Sequence, residues 1–233
     1  MTFARRLSAA ALALMATASL ASAAERLTVT IGGLTPSGRF ADDAAFCPPA
    51  TVTGAKDVSP AVSWSAGPKG TRSYALTMTD PDVPKDMGLI NKPGTTIEDG
   101  APRITIHHWV LADIPSTVTA LKKGAESDGL KPHGKPIGAT DHGLRGANVF
   151  TSFLASNPDM AGTYGGYDGP CPPINDERPH HYTIRVYALD TPSLGLTGAF
   201  DGAALEKAVK GHVLAEGEAV AIYALNPKAM GKK

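Results

Sequence analysis

The chain has 233 residues with 22 basic and 22 acidic side chains, so its formal net charge is zero. No Lys/Arg block stands out, which excludes nucleic acid and electrostatic docking on an anionic membrane as expected partners. An aromatic content of 6% with 25 glycines and 19 prolines predicts many turns and few long helices.

The chain opens with the pattern of an export signal. Arg5-Arg6 form a basic start, Leu7 to Leu20 is an apolar run, and Ala21-Ser22-Ala23 is a small-residue cleavage site. The run is too short to span a bilayer, and no later stretch approaches eighteen apolar residues, so no stable membrane insertion is expected. The expected organisation is a secretory signal peptide over 1–23 and one domain over 24–233, placed in the periplasm or secreted after cleavage near Ala23. Without Arg5 and Arg6 there remain 20 basic and 22 acidic residues, a formal charge of −2.

Leu27 to Ile31 alternates and reads as a first strand; Gly32 to Thr53 reads as loop. The two cysteines of an exported chain favour one disulfide, Cys47–Cys171, over two thiols. It would be worth on the order of 4 kcal/mol in the loop-entropy model. Both cysteines precede proline, which predicts stiff, extended loops around them. Ala61 to Trp64 reads as a short strand and Ser73 to Thr79 as a strong one. After it, Asp80-Pro81-Asp82-Val83-Pro84 reads as a stiff turn holding two carboxylates. Pro84 to Pro102 reads as a polar surface loop. Ile104 to Ala112 reads as a strand stopped by Asp113-Ile114-Pro115.

Lys122 to Phe150 reads as a long irregular loop, the kind that is usually functional or mobile. Asn157 to Pro173 reads as turn-rich, and His181 to Leu189 as the last strong strand. Leu205, Ala208, Val209, His212 and Val213 have helical spacing, which predicts a helix over 203–216; 219–225 returns to strand. Many strands without βαβ alternation predict a mainly β fold, an antiparallel β-sandwich with a few peripheral helices.

Histidine doublets mark two strand starts, His107-His108 and His180-His181. Adjacent strand residues point to opposite faces, so one member of each pair is expected in a pocket. If Val110 and Ala112 share a core face with His108, then His108 turns inward and His107 outward. Tyr182 shares a face with His180, and an imidazole beside a phenol suits anion binding. For any one of these residues alone, a structural histidine or a turn-capping aspartate is the better reading.

Taken in order, the motifs are more specific. Asp80-Pro81-Asp82-x-Pro84, His107-His108-Trp109 with Asp113-Ile114-Pro115, Gly169-Pro170-Cys171-Pro172-Pro173, and His180-x-Tyr182 with Tyr187-Ala188-Leu189 resemble the phosphatidylethanolamine-binding proteins, in particular their bacterial Raf-kinase-inhibitor-like branch. Ser59 to Trp64 and Gly211 to Ala215 extend the resemblance from about Phe46 to Tyr223. It implies an antiparallel β-sandwich with a small anion pocket at one end for phosphate-like or phosphorylethanolamine-like groups. The implied ligand-binding residues are Asp80, Asp82, Pro84, His108, Cys171, Pro172, His180 and Tyr182. Asp80 is implied as the pocket carboxylate, with Asp82 and Pro84 shaping its loop; the loop of Cys171 and Pro172 supplies amide donors. His181 stands where the family often has Arg, and Asp113 where Asn is common. The stretches Lys85–Ile104 and Lys122–Phe150 are longer than in minimal bacterial members and are expected to rim or cover the pocket.

The expected function is therefore reversible binding of a small anionic ligand, with no catalytic residues, no cofactor and no metal. A second reading is an inhibitor that docks a protease or other partner enzyme through the long loops. A metal-dependent hydrolase built on Asp80, His108 and His180 ranks last, since no His-Glu-x-x-His or Gly-x-Ser-x-Gly motif is present. A monomer or homodimer is expected.

Overall fold

A computed structural model describes residues 25–231, so the export-signal reading of 1–23 lies outside the described residues. The strands are β1 Glu25–Arg26, β2 Val29–Ile31, β3 Val62–Trp64, β4 Ser73–Pro84, β5 Arg103–Pro115, β6 Ala120–Leu121, β7 Gly134–Lys135, β8 Gly138–Thr140, β9 Gly143–Arg145, β10 Thr163–Tyr164, β11 Gly166–Tyr167, β12 His180–Leu189 and β13 Val213–Tyr223. Three short helices are peripheral: α1 Phe150–Phe153, α2 Gly202–Ala208 and α3 Pro227–Met230. The main sheet runs β1-β13-β12-β4-β5-β9-β8, with β11 also on β5. Its central pairs, β13-β12, β12-β4 and β4-β5, are antiparallel. A second sheet, β2-β3-β6, is antiparallel as well. The expected mainly β, antiparallel sandwich is what the chain forms.

Strand alternation sorts the core. Tyr74, Leu76 and Met78 of β4 and Tyr182, Ile184, Val186 and Ala188 of β12 join Trp64 and Leu121 of the second sheet in one buried cluster. The intervening Ala75, Tyr187 and Leu189 pack on the other face with Leu205 of α2 and Val209 just after it. Extending the two inner rows by two residues gives Asp80 on β4 and His180 on β12. The sandwich interior therefore ends in polar groups.

Several sequence readings change. Asp80 to Pro84 is not a turn but the end of β4; the pairing with β5 skips from Asp80↔Ile106 to Val83↔Ile104, so Pro81 and Asp82 occupy a bulge. Proline cannot donate to a ladder, and a bulge is where a strand tolerates it. Likewise β5 does not stop at Asp113; that residue takes a positive φ of 52° and the strand runs on to Pro115. The helix expected over 203–216 ends at Ala208. Gly211 then turns the chain at φ 86°, and Val213 enters β13. The long stretch over 122–150 is not unstructured either, since it holds β7, β8 and β9.

Candidate functional site

Three elements carry the polar end of the interior. Asp80 and His180 follow from alternation, but His108 does not. Trp109 and Leu111 lie in the inner cluster, whereas Val110 and Ala112 lie in the outer one under α2. Strict alternation would put His108 outside with them. A second bulge intervenes: Met78 pairs with Trp109, but Thr79 pairs with His107. The extra residue turns His108 inward, where its ring packs edge-on against Tyr182 at 5.2 Å and Phe150 at 5.5 Å. The expected division of the doublet holds, but the shared face with Val110 and Ala112 does not. His107 lies outside, its Nε2 3.0 Å from Glu206 of α2.

The inner polar groups form one chain. His180 Nδ1 donates to Asp80 Oδ2 at 2.7 Å, and its Nε2 donates to Asp176 Oδ2 at 3.3 Å. Asp176 in turn accepts from Arg103 Nη1 at 2.5 Å and Nη2 at 3.0 Å. Asp80 Oδ1 also accepts the Asp82 amide at 2.8 Å, which ties the carboxylate to its own bulge. Burial alone would push His180 towards the neutral form, but the Asp80 and Asp176 carboxylates outweigh it and raise its pKa to about 9. Burial also opposes charge on Asp80; the charge on His180 outweighs that and holds its carboxyl below the usual range. Burial, then the Asp80 carboxylate, push the Tyr182 hydroxyl well above its ordinary value, so it is a neutral donor.

His108 is held differently. Its Nδ1 lies 3.0 Å from the Asp168 carbonyl, which only accepts, so Nδ1 is the protonated nitrogen. Its Nε2 is buried, stands 3.8 Å from Asp80 Oδ2, beyond hydrogen-bond reach, and has no hydrogen-bond partner among the described residues.

Asp80, His108, His180 and Tyr182 line a cavity of about 140 Å³ with Pro84, Cys171, Pro172 and the apolar side chains of Met87, Ile90, Phe150 and Phe153; Asp176 and Arg103 stand behind it. Met87 and Ile90 come from the first long stretch, as expected of a rim, while the second reaches the cavity only through Phe150. The wall at Cys171 is fixed by the Cys47–Cys171 disulfide, with Cα atoms 5.3 Å apart, and by the Phe46 amide donating to the Pro170 carbonyl at 3.1 Å. Between 170 and 173 the only residue with an amide hydrogen is Cys171, since the rest are prolines.

Seven of the eight expected site residues meet at this cavity, and Asp82 does not. The bulge turns Asp82 away: its carboxylate accepts from the His181 amide at 2.9 Å, His181 Nδ1 at 2.8 Å and Arg178 Nη1 at 3.2 Å. It ties β4 to β12 instead of facing the cavity. The sequence reading did not single out Asp176, Arg103 or Phe153, and it held Met87, Ile90 and Phe150 only as parts of the two rim stretches. Asp176 stands four residues before His180 in an irregular loop, and no periodicity marks it.

The chain is thus defined by an antiparallel β-sandwich closed at one end by a small, buried Asp/His/Tyr pocket. A family profile described as phosphatidylethanolamine-binding protein matches residues 34–224. The chain belongs to the phosphatidylethanolamine-binding protein family. The protein YbcL of Escherichia coli (strain K12) is 32% identical over 168 residues, 72% of each chain. A relative from Aquifex aeolicus (strain VF5) is 31% identical over 172 residues, 72% of this chain and 75% of that one. The crystal structure of E. coli YbcL, described as a new member of the mammalian PEBP family, superposes with a TM-score of 0.61 at 26% identity, covering 86% of this chain and 99% of that one. A putative family homologue from Chlamydia trachomatis shares the fold, with a TM-score of 0.56 at 21% identity over 85% of this chain and 97% of that one.

Proposed function

We propose that this chain reversibly binds small oxyanionic groups of the phosphate class, phosphorylethanolamine-like headgroups included, in the pocket of Asp80, His108, His180 and Tyr182. The observation that carries the reading is His108 Nε2, a buried polar atom on the cavity wall without a hydrogen-bond partner among the described residues. A buried group of that kind costs about 1–3 kcal/mol unless something pairs with it. Tyr182 supplies a neutral hydroxyl, Cys171 an amide, and the His180 charge is fixed by Asp80. The apolar wall of Met87, Ile90, Phe150 and Phe153 accommodates whatever carbon framework carries the anion.

Binding without catalysis is the favoured role. Both ring nitrogens of His180 are held by carboxylates, which leaves it no lone pair to act as a base or to coordinate a metal. Export to an oxidising compartment is part of the proposal and is supported by the disulfide. Calorimetric titration with phosphorylethanolamine at pH 5.5 and pH 8 tests the reading. Binding is expected at both and stronger at pH 5.5; no binding at either pH rejects it.

A further inference from the structure

Among the described residues, the two cations of the polar chain, His180 and Arg103, are already paired. His180 sits between Asp80 and Asp176, and Arg103 is paired to Asp176 through both terminal nitrogens. Two cations face two carboxylates, so an arriving anion meets no spare charge. A buried anion that adds to such a balanced set is held only if a proton or cation comes with it.

His108 is the group placed to take that proton. The groups that face it are Asp80 from β4, His180 and Tyr182 from β12, and the Asp168 carbonyl after β11; Phe150 of α1 is apolar. The ring cannot turn over without losing the Nδ1 bond to Asp168. That residue is clamped: its amide donates to the His108 carbonyl at 3.0 Å, and its carboxylate takes Asn148 Nδ2 at 2.6 Å and the Lys135 ammonium. With Nδ1 committed as a donor, a ring that carries one proton presents the Nε2 lone pair to the cavity. A bare anionic oxygen is repelled by a lone pair and held by an N–H.

We propose that the pocket takes up one proton from solvent with each oxyanion it binds, at His108 Nε2. The inference rests on the anion-binding reading above. The bound state is then an imidazolium donating to the anion through Nε2, which also lies 3.8 Å from Asp80 Oδ2. No other bond forms or breaks. An oxyanion arriving at neutral or alkaline pH binds with an affinity that falls about tenfold per pH unit, the signature of one linked proton.

The test is calorimetric titration of the protein with phosphorylethanolamine at pH 8 in three buffers of different ionisation enthalpy. The phosphate monoester is then a dianion, since its second pKa is about 6. The slope of observed enthalpy against buffer ionisation enthalpy counts protons; one is expected for the natural sequence and none for His108→Gln. Should His108→Gln fail to fold, nitrogen NMR of histidine-labelled natural protein decides the point. Saturating ligand should convert His108 Nε2 from an unprotonated to a protonated nitrogen. Binding without proton uptake, uptake that persists in His108→Gln, or a His108 Nε2 that stays unprotonated overturns the inference and leaves the anion site standing. Absence of any binding overturns both.

Discussion

Replacing Asp80 by Asn should flatten the alkaline limb of the stability curve. In the natural sequence His180 is raised from 6.5 to about 9. A group whose folded pKa is raised contributes stability that is complete below its unfolded pKa and is lost as pH climbs through the folded one. The native state holds this proton across pH 6.5–9 while the unfolded chain releases it, so stability must fall with pH there. At 1.36 kcal/mol per pKa unit, the fall is about 3 kcal/mol across the window. The figure needs no discount for solvent screening, because the His180 and Asp80 side chains are only 1% and 2% exposed. It describes the pair, so the Asp80 shift is the same interaction seen from the other side and is not added. Asp80→Asn removes the foremost cause that raises the His180 pKa, and burial then drives it down. Urea midpoints at half-unit steps from pH 6 to 9.5, with the disulfide intact, give the slope. The reasoning fails if the natural protein shows no decline over that range, or if Asp80→Asn declines as steeply.

Other perturbations probe the supports of the pocket. Asp176→Asn should lower the His180 pKa by a smaller step than Asp80→Asn, read from histidine NMR titrations, because Asp80 remains. Removing the disulfide with the double change Cys47→Ala and Cys171→Ala should cost about 5 kcal/mol in urea unfolding, given the 124-residue separation of the two cysteines. Gly169→Ala should loosen the same wall, because a Cβ there would lie 1.8 Å from the Ala44 carbonyl oxygen. We expect a loss of about 1–3 kcal/mol and weaker anion binding in the same sample. Lys135→Met leaves the buried carboxylates of Asp57 and Asp168 facing each other without their shared ammonium. It should cost about 3–5 kcal/mol at neutral pH. The loss should shrink on acidification, since burial and then Asp168 already hold the Asp57 pKa well above its usual value.

What the sequence made legible follows from period-two alternation. Ser73–Thr79 and His181–Leu189 each show a clear inner row, and stepping each row outward reaches Asp80 and His180. The order of motifs made the family legible, and with it His108 and Tyr182. Bulges were not legible. Pro81 and Pro84 look like a turn because proline usually leaves a strand, and only the partner strand shows that β4 continues past them. The inward turn of His108 depends on one unpaired residue opposite Met78 and Thr79, which no property of His107-His108-Trp109 announces. The run over 203–216 has one apolar pattern that suits a helix up to Val209 and a strand from Val213. Only the positive φ at Gly211 divides them. Asp176 and Arg103 form an ion pair across 73 residues of sequence, and such a pairing leaves no local trace.

The most direct test of the account is a crystal structure of the protein saturated with phosphorylethanolamine. The account predicts the phosphoryl group in the cavity at the sandwich end, with one oxygen within hydrogen-bond distance of His108 Nε2 and another near the Tyr182 hydroxyl. A ligand bound elsewhere on the chain, with that cavity unoccupied at saturation, would contradict it.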